Sequence, residues 1–414
     1  MSNGQGANGT PDSVQVTMYD VGFGDCFLLS FIYVGGSTKR VLIDCGTRNA
    51  PAKMGPAVNQ VLTDSGGHVD AVVITHRHLD HLSAFGDSQT GPQLLSLGPQ
   101  LVLQPWTEEP DLDKSAADEN GAHVQMLDAG QGFAQAVMGN SVGVKGASPE
   151  QQQIINCIAG LSIPNKAALE CIAKLAPANA HSYLSAGQNS GLGNLLPGVT
   201  VTVLGPPTLT ECPAIAKESS SNPSEFWQLQ ESIAAMLGGG AMAASGDELL
   251  PGAATLERCM ASPEVRWALN RLDGINAQNV ERFVRCLDSA MNNTSLILLF
   301  QVGNKVLLFP GDAQWENWSY ALGKPEWADQ LKGVDLYKVG HHGSGNATPK
   351  DLWNLFDHKG PAGQQGRLVT LMSTTVGEYN GVPASTLAPA LGNETDLTRS
   401  DQLASGATSY SCTL

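Results

Sequence analysis

Short apolar, β-branched runs punctuated by Gly-rich turns fill both ends of the chain, whereas its middle carries apolar residues at helical spacing. Residues 14–18 alternate apolar and polar side chains and then meet a turn at Gly22 and Gly24, and residues 26–33 and 40–43 follow as further strands. This pattern predicts a β-meander ending at Asp44. Over 56–64, Val58, Val61 and Leu62 recur at helical spacing, predicting a crossover helix into a strand over 70–74. That strand is continuously apolar, as expected of one buried on both faces. Residues 101–103 form another short strand. After it, Trp106 reads as a packed indole and Glu108 as a solvated acid.

Residues 111–195 have the composition of a mostly helical insertion with a Gly-rich break at 139–146, and 199–204 return to a strand stopped by Gly205-Pro206-Pro207. The stretch 224–290 reads as helical again, interrupted at Gly238-Gly239-Gly240, with a helix over 280–291. Strands at 295–300 and 305–309 form a hairpin around Gly303-Asn304, which places Asp312 just past a strand end. The first twelve residues, rich in Gly, Asn, Ser and Gln, read as a disordered tail. The expectation is a single domain over 13–414 with helical insertions at about 111–195 and 209–290.

Candidate chemistry concentrates in Thr75-His76-Arg77-His78-Leu79-Asp80-His81, at the end of the buried strand. Side chains alternate along extended backbone, so His76 and His78 point the same way, and the following turn swings Asp80 and His81 toward a neighbouring point. Imidazoles and a carboxylate are ligands for borderline divalent ions such as Zn²⁺, and the spacing suits two ions better than one. A lone histidine beside a strand is ordinarily a core or surface residue. This cluster is not of that kind.

The run resembles the metallo-β-lactamase superfamily signature His-x-His-x-Asp-His. Later landmarks agree in order: Asp44 after an early strand, Pro310-Gly311-Asp312 after a later one, and His341-His342-Gly343-Ser344 after Leu336-Tyr337-Lys338. Together with Gly22-Phe23-Gly24-Asp25, Asn293-Thr294-Ser295 and Tyr379-Asn380-Gly381-Val382-Pro383, these look similar to the hydrolase domain of the competence DNA-uptake channel and its stand-alone relatives. The resemblance implies an α/β fold, a four-layer αββα sandwich with helical insertions. It implies that His76 and His78 hold a first divalent ion, that Asp80, His81 and one of His341 and His342 (preferably His342) hold a second, and that Asp312 bridges them. Asp44 and Asp25 would support the ligands from behind, and His341 would contact substrate. Many family members place a histidine where this chain has Asn293, so the third ligand of the first ion is either Asn293 or His181. The ions would be Zn²⁺, with Mn²⁺ as the alternative.

The implied activity is hydrolysis by an activated hydroxide shared between two ions, with Asp80 and Asp312 orienting it. A phosphoester of phosphodiester or nucleotide type is the expected substrate; a carboxylic ester, lactone or thioester is the alternative on the same fold. A binding or assembly protein that keeps the metal site, with protein partners on the insertions, is a third reading. The one Gly-x-Ser-x-Gly match, at 139–143, lacks the preceding strand a serine nucleophile needs.

Charge narrows the substrate. With 23 basic and 39 acidic residues the net charge is −16, which disfavours unspecific binding to duplex nucleic acid and leaves a small anionic substrate. Arg48, Arg77, Lys338 and Lys350 are the cations expected near the cleft. The eight cysteines, Cys26, Cys45, Cys157, Cys171, Cys212, Cys259, Cys286 and Cys412, contain no Cys-x-x-Cys pair, so zinc ribbons and dense disulfide frameworks are not indicated. No run is long and apolar enough to span a bilayer, and the amino end lacks the pattern of a secretion signal. A cytoplasmic protein without membrane attachment is the expectation.

Overall fold

The computed structural model describes residues 9–112, 119–139, 147–163, 165–212, 277–378 and 382–414. The chain divides into two compact units, one formed by Met1–Glu108, Asn165–Pro207 and Thr294–Leu414, the other by Glu109–Pro164 and Thr208–Asn293.

The first unit is a mixed α/β structure built on two sheets. Strands β1 (Ser13–Tyr19), β2 (Cys26–Ile32), β3 (Thr38–Cys45), β4 (Ala71–Val73), β5 (Leu101–Pro105) and β6 (His181–Leu184) lie side by side in that order, and β13 (Ser409–Thr413) closes the β1 edge. The second sheet runs β12 (Asp396–Arg399), β11 (Val369–Met372), β10 (Leu336–Lys338), β9 (Lys305–Phe309), β8 (Ile297–Val302) and β7 (Val199–Gly205).

The continuous apolar character of the strands follows from double-sided burial. Along β2, Phe27, Leu29 and Phe31 join a core shared with Leu298, Phe300 and Phe309 of the other sheet, while Cys26 and Leu28 face the opposite side. There they pack with Met54, Val58 and Val61 of the helix Pro51–Ser65 and with Leu82 and Phe85 of the helix Leu79–Gly86. The second sheet repeats the arrangement: Ile297, Leu299 and Leu308 face Trp318, Leu331, Leu352 and Leu391 of its own covering helices. Helix, sheet, sheet, helix is therefore the layer order. Each buried Leu or Phe contributes roughly 1.5–3 kcal/mol of transfer free energy to holding the layers together.

Strands β3 to β6 are parallel, as are β9 to β12, so several strands deliver their carboxyl ends to a common edge. The two sheets are tied there by Leu296 N donating to Thr75 O (2.9 Å). Gly311 sits at φ +55° with no room for a side chain, since a Cβ would meet Thr75 Cβ at 2.8 Å.

The second unit contains the helices Glu119–Met138, Pro149–Leu161 and Ala277–Asn292 packed on one another. Val124, Leu127, Ile155, Ile158, Val284 and Leu287 are buried along them. Ser148 and Gln151 form a reciprocal cap at the start of the middle helix.

Several expectations need correction. The helical insertion does not run to 195: residues 165 onward belong to the first unit, and 181–184 form strand β6. Its short run His181-Ser182-Tyr183-Leu184 has too few apolar residues to announce a strand by pattern. Residues 9–12 are not a free tail, because Asp12 N donates to Ile32 O (2.8 Å), Pro11 is buried, and Thr10 packs against Gly198. Strands β11, β12 and β13 were not legible in the sequence. The expected helix at 224–276 with its Gly238-Gly239-Gly240 break, the serine motif at 139–143, the first eight residues and Tyr379-Asn380-Gly381 lie outside the described residues, wholly or in large part. Among the described residues, no helix is long and apolar enough to cross a membrane.

Candidate metal centre

The early histidine motif leaves β4 through Ile74 and Thr75 and enters the helix Leu79–Gly86, with Asp80 and His81 in its first turn. From the other sheet, Asp312 follows β9 and His341 and His342 follow β10. Ligand atoms of Asp80, His81, Asp312 and His342 all lie within 4.8 Å of one another, and every one of these side chains is buried. His342 Nε2 is 3.0 Å from Asp80 Oδ2 and 3.3 Å from Asp312 Oδ2, and His81 Nε2 is 3.1 Å from Asp312 Oδ2. Beside this group, His76 Nε2 and His78 Nδ1 approach to 3.0 Å.

The ring orientations are set from behind. His81 Nδ1 donates to Asp44 Oδ2 (2.8 Å), while Asp44 also accepts from Thr75 N (2.8 Å) and Thr75 Oγ1 (2.6 Å). His342 Nδ1 donates to the Ser373 carbonyl (3.0 Å). Each contact places the ring proton on Nδ1 and leaves Nε2 toward the cluster. Asp44, His341 and His342 all have positive φ (55°, 45° and 52°), which costs a non-glycine residue on the order of 1 kcal/mol or more. Such strain persists only where surrounding contacts over-determine it.

Electrostatics in the metal-free chain follow from these pairings. Burial pushes the Asp80 carboxyl up, but the hydrogen bond from His342 and the charge of His81 win and hold it at about 2. Burial pushes His342 down, yet the Asp312 and Asp25 carboxylates raise it to about 10. His81 rises for the same reason, its partners being Asp312 and Asp44. His78 and His341 are dominated by burial and fall to about 4, and His76 is also lowered by burial.

A divalent cation fits this set. Asp80 Oδ1 is buried and accepts no hydrogen bond among the described residues, and the nitrogens of two imidazoles converge with the oxygens of two carboxylates, a donor set that suits such an ion. A cation at that point replaces repelling or proton-shared contacts with coordination.

The remaining predicted residues fall as follows. His341 presents its backbone N–H to Asp312 Oδ1 (3.1 Å), and its Nδ1 lies 3.5 Å from Gln314 Nε2. Asp25 lies 3.5 Å from His342 Nδ1 and forms a short ion pair with Lys338. Asn293 belongs to the second unit, where its N–H donates to Ser289 O (3.0 Å). His181 is not brought to the cluster: it opens β6 level with Val102, which is level with Val72, whereas His76 lies past the opposite, carboxyl end. Its Nε2 meets Ala176 O at 3.3 Å.

The Gly22–Asp25 turn is a packing element. Gly22 N donates to Asp20 and Asp25 N to Asp80 O (3.1 Å), and a Cβ on Gly24 would meet Gly46 O at 2.3 Å. Arg77 is spent on Glu108 (2.7 Å) and Thr107 O, so Glu108 is a buried ion partner and not a solvated acid. Trp106 packs as an indole donating to Pro207 O. Arg48 stands over the Phe23 ring, 5.9 Å from its centroid, and that ring packs on His342. Lys350 is exposed.

Sequence reasoning missed the structural weight of Thr75, Ser295 and Ser373, whereas Lys338, expected near the cleft, does reach Asp25 and Asp312. Ser295 Oγ accepts from Asp312 N (3.1 Å). The signal for Lys338 is a cation at the end of an otherwise apolar strand.

The Metallo-beta-lactamase superfamily model matches residues 19–133, a stretch that contains the histidine motif. With the two-sheet architecture this defines a metallo-β-lactamase fold. Among solved structures, the metallo-beta-lactamase fold protein YhfI from Bacillus subtilis is similar at 8% identity and a TM-score of 0.35, covering 97% of this chain and 100% of that one. A comparison with curated protein sequences returned no match.

Asn in place of Asp44 keeps one acceptor oxygen, and with Thr75 N–H holding that oxygen the amide NH2 faces His81 and cannot accept from its Nδ1–H. Divalent-ion affinity, measured by competition with a chromogenic chelator, should fall about 10- to 100-fold. The pH dependence has a worked sign. His342 is raised, so its contribution is complete below about 6.5 and is lost as pH climbs through about 10; Asp80 is depressed, so its share is complete above about 3.8 and lost as pH falls through about 2. Since His78 and His341 act oppositely in acid, the pair is read as a difference. In metal-free thermal melts, the stability gap between wild type and His342→Gln should be widest between pH 4 and 6.5, and a flat gap contradicts the pairing.

Proposed function

We propose that this chain is a metal-dependent hydrolase acting on a phosphoester of phosphodiester or nucleotide type. The observation that carries the reading is the convergence of Asp80, His81, Asp312 and His342 at one buried point. These residues would hold one divalent ion, and His76 and His78 would hold a second, with Asp312 between them. Zn²⁺ suits imidazole and carboxylate donors, and Mn²⁺ suits the more oxygen-rich group. Bound ions of this kind act as Lewis acids and bring the pKa of a coordinated water toward neutrality.

The chain's own residues supply orientation. Asp44 and Ser373 fix the two rings, and Ser295 and His341 N–H fix Asp312. His341, neutral near pH 7, serves as a hydrogen-bond partner for substrate and not as its proton source. The phosphoester reading is supported by the resemblance of Pro310-Gly311-Asp312 and His341-His342-Gly343-Ser344 to the competence DNA-uptake hydrolases. The acidic balance supports a small substrate over a polymer.

A panel of chromogenic phosphodiester, phosphomonoester and carboxylic ester substrates, assayed with Mn²⁺ and Zn²⁺, tests this. Phosphodiester turnover that drops to background in Asp80→Ala and Asp312→Ala is the expected result. Turnover of esters alone assigns the chain to ester, lactone or thioester hydrolysis, and silence at full metal occupancy makes it a binding or assembly protein.

A further inference from the structure

Lys338 ends strand β10 with only 2% of its side chain exposed. Its Nζ donates to Gly311 O (2.9 Å), meets Asp312 Oδ1 at 3.2 Å, and forms a short ion pair with Asp25 Oδ2. An ammonium has three N–H donors, and these acceptors match them. A buried lysine is costly unless its charge is answered, and here the carboxylates of Asp25 and Asp312 answer it. Because His341 N–H also holds Asp312 Oδ1, the orientation of Asp312 does not depend on Lys338 alone. What Lys338 adds beside the point where Asp80, His81, Asp312 and His342 converge is a positive charge on a group that is not itself one of the converging ligands.

We infer that Lys338 is a positioning residue that acts through Asp312 and Asp25 as a resident counter-cation, setting how tightly the cluster holds divalent ions. This rests on the reading that the cluster binds such ions. The carboxylates of Asp25, Asp44, Asp80 and Asp312 make the site strongly attractive to cations, and a fixed ammonium in contact with one of them opposes that attraction. Binding is thereby kept weak enough for exchange. Asp25 is the balancing charge, since it contacts Lys338 and lies 3.5 Å from His342.

The test is a double-mutant cycle on the full chain, with Zn²⁺ and Mn²⁺ affinities measured by competition with a chelator. A unit charge a few ångströms from a dication at the effective dielectric of a protein interior alters its affinity by tenfold or more, on the order expected from Coulomb's law. Lys338→Met should therefore bind metal at least about tenfold more tightly. Asp25→Asn should bind more weakly, and the double variant should return to within about threefold of wild type.

A merely structural lysine gives a different pattern: Lys338→Met binds metal more weakly and Asp25→Asn does not compensate. That result overturns the inference, as does unchanged affinity in Lys338→Met. If the single lysine variant fails to fold, the double variant, which buries no unpaired charge at this position, carries the test, and loss of metal binding there overturns the inference. Wild type that binds no divalent ion overturns both this inference and the proposed function, whereas wild type that binds without any response to the variants overturns this inference alone.

Discussion

The structure depends on how charge is balanced where the carboxyl ends of two sheets meet. Asp25, Asp44, Asp80 and Asp312 are each almost wholly buried, and a buried carboxylate is tolerated only when it is paired and hydrogen-bonded. Lys338, His81 and His342 supply that pairing in the metal-free chain, drawing on both sheets. The same contacts that stabilise the edge therefore define the donor set. A site so built has its ligands oriented before any ion arrives, which spares the ordering cost at binding.

Fold and site are linked by close backbone approaches. Gly311 lies against Thr75, and Gly24 and Gly46 lie against the backbone of Asp80, at distances no side chain would allow. These contacts seat the helix carrying Asp80 and His81 on the loops after β1 and β3. The left-handed residues Asp44, His341 and His342 complete the picture, since each turns a side chain inward at a position where glycine would be the unstrained choice. Strain of that kind is retained where the side chain itself is required.

Much of this was legible in the sequence because its signals are local. The alternation over 14–18, the continuous run at 70–74 and the hairpin at Gly303 lie within β1, around β4 and between β8 and β9 in the structure. The histidine motif also announces itself by density. What was hidden is non-local. Strand β13 pairs with β1 across nearly the whole chain, and its run Ser-Tyr-Ser-Cys-Thr is too polar to read as a strand without its partner. β6 is likewise defined by its neighbour β5. The oxygen atoms that orient Asp312 and His342, Ser295 Oγ and the Ser373 carbonyl, have no sequence signature, because a serine hydroxyl or a peptide carbonyl becomes informative only once its neighbour is known.

The most direct test of the account is anomalous scattering from crystals of the chain grown with Zn²⁺. The account predicts a peak about 2.0–2.2 Å from His81 Nε2, His342 Nε2 and the carboxylates of Asp80 and Asp312, with Lys338 still in contact with Asp312. Occupied metal elsewhere on the chain, with His81 and His342 still hydrogen-bonded directly to those carboxylates at full Zn²⁺ loading, would contradict it.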